Sequence, residues 1–234
     1  MPAIPKGALF CMGNPLLDMS AEVDQTFLDK YKLEGRTSLG QFSEFDEDNH
    51  KAPFKENLSV DSMVMVGQHA TSERKVFCMN LSAPFLCKLF QEQMMRVMPY
   101  VDILFGNEVE AVELARSQKW PDQLTVKEIA KRAAALPKEQ GSRIVVFTQG
   151  SKPVIVMHKD GSITEHPVED IPKSKIVDTN GAGDAFVGGF LAGHIEGKSI
   201  KDCVSRGIAA ASVMIQQSGC SLPKRSTFKD PCAL

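Results

Sequence analysis

Stretches with apolar residues every three or four positions alternate along this chain with short, nearly continuous apolar runs, the signature of helices exchanging with buried strands. An opening strand is expected at Ala8 to Gly13, and a helix over about 22–32, with Val23, Phe27, Leu28 and Tyr31 on one face. The pattern lapses from Gly35 to Ser62, where Gly, Pro, Ser and six acidic residues follow no sustained period; that run reads as an irregular, partly disordered segment. Regularity resumes at Met63. Strands KVFCMNL, VDILFG and RIVVFT then alternate with helical PFLCKLFQEQMMRVM, EVEAVELARSQ and TVKEIAKRAAAL. Next comes a hairpin, PVIVMHKDGSITEHPV, where Asp160-Gly161 suits a type I' turn and the rim of a sheet. A strand KIVD follows, then a Gly-rich turn, a helix over about 183–194, and a last helix over about 200–217 stopped by Gly219. Parallel strands with crossover helices are expected, in a single α/β domain of three layers (α/β/α) with a mostly parallel sheet.

Composition removes some partners. A formal net charge of -2 leaves no basic excess for a phosphodiester backbone, so nucleic acid is not an expected partner. No apolar run reaches the roughly 20 residues that span a bilayer, and MPAIPKGALFCMG has too short an apolar stretch for a secretory signal, so neither a leader nor a membrane partner is expected. The expected location is the cytoplasm, with the nucleus as a second compartment. Six scattered cysteines without a CxxC pair fit reduced thiols better than a disulfide framework or a zinc site.

Chemistry concentrates in Asp178 to Asp184, DTNGAGD, between the expected strand KIVD and an apolar helix. Free N–H groups and the dipole at a helix start attract an anion, and glycines let a phosphate approach the backbone. Gly181 and Gly183 are therefore phosphate-binding candidates, with Asn180 and Ala182 in the same turn. Asp184, expected in the first helical turn, would sit where the dipole favours a carboxylate and could accept a hydroxyl proton. The same run could equally be a tight connector with a surface acid. Two rival motifs fail on spacing: a dinucleotide GxGxxG would need glycine at Phe186, and GHIEGKS has three residues between its glycines where a Walker A loop has four. Gly197 there reads as a helix stop and Ser199 as the next cap.

DTNGAGDAFVGGFL resembles the C-terminal signature of the ribokinase (PfkB-type) family of sugar and nucleoside kinases. GNPLLDM, MNLSAPF, MPYVDILFGNEVEA and FTQG resemble its adenosine-kinase branch, in the same order. The resemblance implies transfer of the ATP γ-phosphate to the 5'-hydroxyl of adenosine with magnesium (Mg2+), as in purine salvage, by a protein that is monomeric in the family. It gives Asp184 the role of base and Asn180, Gly181, Ala182 and Gly183 that of anion hole. Asp18, with Asn14 beside it, would hold the ribose, although an Asp there could also cap a helix. Asn107 and Glu110 would organise water-bound magnesium, although Asn with Glu three residues later is also a capping box. Thr148 and Gly150 would line the ATP side, or simply end a strand.

One block is missing from the pattern. Adenosine kinases carry a Gly-Gly element with a nearby Asn, plus lid strands, between the segments matched by GNPLLD and NLSAP; here the irregular 35–62 segment stands instead. On the order of a hundred residues are absent, a sizeable part of an ordinary domain. The expectations are therefore an adenosine kinase, a shortened nucleotide-binding chain with impaired catalysis, or a kinase for another nucleoside or sugar.

Overall fold

The computed structural model describes residues 60–219 and Pro231. The opening strand, the helix expected over 22–32 and most of the irregular segment lie outside them. The described residues fall into two compact units, one within Lys55–Glu169 and the other within Asp170–Leu234.

The first unit begins with helix α1 (Val60–Ser72), so regularity starts at Val60 and not at Met63. Strand β1 (Cys78–Asn80) follows. The long helix expected next is broken in two, α2 (Pro84–Leu89) and α3 (Gln91–Val97). Phe90 is the hinge: at φ -118° and ψ 31° it leaves helical geometry while its N–H still closes on Leu86 O. After a 3-10 turn at Met98–Tyr100 come β2 (Ile103–Asn107), α4 (Glu108–Ser117), α5 (Val126–Ala134) and β3 (Ile144–Gln149). Strands β4 (Lys152–Met157) and β5 (Ile163–His166) complete a sheet of order β1-β2-β3-β4-β5.

The pairs β1–β2 and β2–β3 are parallel, and β3–β4 and β4–β5 antiparallel. The sheet is therefore mixed, because the hairpin adds antiparallel strands beside the parallel ones. Residues of both sheet faces are buried: Leu104, Val145 and Phe147 on one, Ile103, Phe105 and Val146 on the other. Burial on both faces is what continuous apolar strands demand. The first set joins Leu81, Val97, Leu114, Ile129 and Ala133 in the main core.

The hairpin turn is not type I'. That turn needs positive φ at both central residues, and only Gly161 has it, at 87°. Instead Gly161 N–H closes on His158 O (3.1 Å), and Asp160 Oδ1 accepts the Ser162 N–H (2.9 Å), which gives a turn one residue longer.

In the second unit the expected strand KIVD is absent from any described sheet. The N–H groups of Val177 and Asp178 both close on Ile215 O, at 2.8 and 3.2 Å, beyond the end of the last helix. Helices α6 (Ala182–Ile195) and α7 (Ile200–Met214) pack closely on each other. A Cβ on Gly189 would lie 2.6 Å from Arg206 O, and one on Gly207 2.8 Å from Phe186 O, so glycine at both positions sets the helix separation. Gly197 (φ 71°) ends α6, and Ser199 caps α7 by accepting the Asp202 N–H at 3.1 Å.

Candidate active site

The turn before α6 is shaped by Asp178. Its Oδ1 accepts the Asn180 N–H (2.9 Å) and its Oδ2 the Gly219 N–H (3.2 Å), which tie the turn to the segment after α7. Sequence reasoning gave Asp178 no role; an Asp two residues before a Gly-rich turn was the available signal. Gly181 sits at φ 71°, a left-handed position where glycine avoids strain, and starts the helix without a side-chain cap.

Hydrogen bonding divides the four anion-hole candidates. The Asn180 N–H is held by Asp178, and the Ala182 N–H turns back on Thr179 O at 3.3 Å. The N–H groups of Gly181, Gly183 and Asp184 have no acceptor among the described residues, as expected of an uncapped helix start. Of the four, Gly181 and Gly183 therefore offer backbone donors, while Asn180 offers its side chain. A Cβ on Gly183 would have nothing within 4 Å among the described residues, so no packing against them explains glycine there. Asp184 is exposed in the first turn of α6.

The other described candidates lie in the first unit, at the carboxyl ends of its parallel strands. Asn107 ends β2, and Thr148 pairs with it across β3. Asn107 Oδ1 accepts the N–H groups of Val109 and Glu110 (2.9 Å each), while Glu110 returns one oxygen to Asn107 N and the other to Asn107 Nδ2, again at 2.9 Å. The capping box is thus complete, and Glu110 is buried. Glu110 also bears on Cys87, whose thiol is pushed up to about 12 by burial first and then by the carboxylates of Glu110 and Glu113.

Thr148 Oγ1 donates to Gly106 O (3.4 Å), and the β3–β4 register shifts beside it. Gly150, at φ 59°, turns the chain into β4. Carboxyl ends of parallel strands are where ligands bind in open α/β sheets. Asn107, Glu110, Thr148 and Gly150 share that edge, whereas Asn14 and Asp18 lie outside the described residues.

The same edge holds a turn that sequence reasoning passed over. Just after β1, Ser82 has φ 65°, and the Ala83 N–H closes on Leu81 O at 2.8 Å, a γ-turn of the rare positive-φ kind. Such a residue costs about 1–3 kcal/mol and persists only where its surroundings enforce it. The signal was Asn80 two residues ahead of a Ser-Ala-Pro run.

A divalent cation finds limited support here. Among the described residues no group of three or more His, Cys, Asp or Glu is arranged to hold one. Glu110 is a hard oxygen donor, but each of its oxygens already holds an N–H, so the donor set fits magnesium through that ion's waters and not as an inner cage.

Residues 52–227 match the model of the pfkB family carbohydrate kinase. The chain belongs to that family. It is 46% identical over 179 residues to adenosine kinase 1 of Arabidopsis thaliana, covering 76% of this chain and 52% of the relative. Among solved structures, the adenosine kinase of Anopheles gambiae in complex with P1,P4-di(adenosine-5) tetraphosphate matches with a TM-score of 0.66 and 44% identity, over 70% of this chain and 49% of that one. The adenosine kinase of Schistosoma mansoni in complex with adenosine and AMP matches at 0.65 and 34%, over 72% and 50%. The chain thus spans about half the length of the relatives it matches. The pfkB membership and these neighbours agree with the ribokinase-like α/β fold expected above.

Proposed function

We propose that this chain carries the phosphoryl-transfer chemistry of an adenosine kinase, moving the γ-phosphate of ATP to the 5'-hydroxyl of adenosine to give AMP and ADP. The observation that carries the reading is the start of α6, where among the described residues Gly183 leaves open space and the neighbouring N–H groups have no acceptor. The names of the relatives supply the nucleoside.

In this reading the adenosine 5'-oxygen attacks the γ-phosphorus, the bond to the β–γ bridging oxygen breaks, and Asp184 takes the hydroxyl proton. The Gly181 and Gly183 N–H groups, with the α6 dipole, balance charge on the transferred phosphoryl group. Little covalent chemistry falls to the protein in such a transfer, so placement and charge dominate. Magnesium would arrive with ATP and screen its phosphates, and Asn107 and Glu110 would meet the ion through its waters. Thr148 and Gly150 belong to the ATP side, and Asn14 and Asp18 to the ribose.

A second reading follows from the match to only half of each relative: a nucleotide-binding chain whose acceptor wall lies in the unmatched half. One assay separates the readings. Purified chain is given ATP, magnesium and adenosine, AMP is followed, and Asp184→Asn is run beside it. AMP formation that falls about 10²- to 10⁴-fold in the variant, with ATP still bound, supports the kinase. ATP binding without AMP from the unaltered chain supports the second reading. Product only with another nucleoside or a sugar moves the acceptor elsewhere in the family.

A further inference from the structure

We infer that Asn80 is a further donor-site residue, whose amide N–H groups bind a phosphate oxygen of the nucleoside triphosphate while the γ-turn at Ser82 positions it. The inference rests on the kinase reading above and adds a residue to the ATP side.

Place is the first ground. Asn80 ends β1 opposite Phe105, and the Leu81 N–H continues the ladder to Phe105 O (2.9 Å). Carrying that register on brings Ser82 level with Asn107, which itself pairs with Thr148. Three adjacent parallel strands therefore end in Asn80 with Ser82, Asn107 with Glu110, and Thr148 with Gly150. Neighbouring strands lie about 4.8 Å apart, so such a row is on the scale of a polyphosphate.

Orientation is the second ground. Asn80 Oδ1 accepts the Ser82 N–H (3.2 Å), and the Ser82 hydroxyl donates back to Asn80 O (3.3 Å). These bonds fix the amide plane with its oxygen toward the turn. The amide nitrogen on the opposite side has no partner among the described residues, although the residue is half-buried. A neutral pair of N–H donors held in one orientation suits a phosphate oxygen, and hydrogen bonds to charged groups are the stronger ones.

The third ground is the strain itself. Arg74, Lys119 and Gln123 also have positive φ, but Arg74 and Lys119 lie just past the ends of α1 and α4, where a left-handed residue is ordinary, and Gln123 sits in the exposed turn between α4 and α5, away from the strand ends. Ser82 follows a strand and precedes the proline that opens α2. A serine kept there keeps Asn80 in place, and strained positions of this kind gather at ligand clamps.

The discriminating variant is Asn80→Asp in the full chain. It retains the acceptor for the Ser82 N–H and exchanges only the amide donors for a carboxylate, so a merely structural role is preserved. ATP with magnesium is titrated calorimetrically, melting temperature is recorded, and KM for ATP and for adenosine are measured separately. The expected result is ATP affinity at least about 10-fold weaker and KM for ATP raised in step, with melting temperature and KM for adenosine unchanged. ATP affinity within about twofold of the unaltered chain overturns the inference and leaves the kinase reading standing. A loss matched by a collapse in melting temperature assigns Asn80 to the fold and overturns it as well. An unaltered chain that binds no ATP overturns the inference and the kinase reading together.

Discussion

Two polar features of this molecule handle their hydrogen bonds in opposite ways. Arg143 enters β3 at the amino ends of the parallel strands and is 1% exposed. Its Nε donates to Val101 O, one terminal nitrogen to Ala133 O and Leu136 O, and the other to Met98 O and Pro137 O, at 2.6 to 3.3 Å. Five donors meet five carbonyls, and α5 has its C-terminal carbonyls covered by a cation. Burial pulls the guanidinium down to about 10, which leaves it charged at neutral pH. The turn at Asp178 to Asp184 is the reverse case: its bend is enforced by Asp178 and the left-handed Gly181, yet N–H donors stay without acceptors among the described residues. Saturation marks a group that serves the fold. Enforced shape with open donors marks one that serves a ligand.

The comparison can be broken first at its saturated end. Arg143→Met removes the cation and leaves five carbonyls without it, so urea unfolding should show a loss of more than about 3 kcal/mol. A loss below about 1 kcal/mol would mean that water replaces the guanidinium easily and that saturation is not a stability device. Next come two neighbouring glycines of α6. Gly189→Ala drives a Cβ into Arg206 O and should cost about 1–3 kcal/mol, whereas Gly188→Ala, with nothing within 4 Å among the described residues, should add about 0.5–1 kcal/mol from helix propensity. Equal effects at the two sites would contradict the close α6–α7 packing.

Two smaller effects concern titration. Because the Cys87 thiol is raised to about 12 from 9.0, its burial stabilises the fold fully below about pH 9 and progressively less as pH climbs toward 12. Alkylation at pH 8 should therefore spare Cys87 until the chain is unfolded, and prompt modification in the native state would disprove its burial. Glu128 is the weakest case. The Thr125 hydroxyl and N–H hold its carboxyl below the ordinary 4.5, so its contribution to α5 is present above that pH and fades as pH falls through the lowered value. The stability gap between Glu128→Gln and the unaltered chain should accordingly close in acid.

Much of this was legible in the sequence, for reasons that differ by element. Helices α4, α5 and α7 announce themselves through Asn107 with Glu110, Thr125 with Glu128, and Ser199, since a cap and a period are both local. The Gly-rich turn was readable because left-handed geometry and open space both select glycine. What escaped depends on distant partners. KIVD has a strand's composition, but its N–H groups go to Ile215 O, nearly forty residues away. Arg143 merely opens the expected strand RIVVFT, and its five carbonyls come from two segments distant in sequence, Met98 to Val101 and Ala133 to Pro137. Ser82 carries no compositional mark of positive φ, and the mixed sheet depends on where the hairpin folds back.

Gly183→Ala is the most direct test of the claim that the turn before α6 is shaped for a ligand. The added methyl meets nothing within 4 Å among the described residues, and alanine favours a helix, so melting temperature should hold or rise. The account predicts that AMP formation from ATP and adenosine falls at least about 10-fold in that variant, because the methyl occupies the space a phosphate needs. Unchanged AMP formation in an equally stable protein would contradict it.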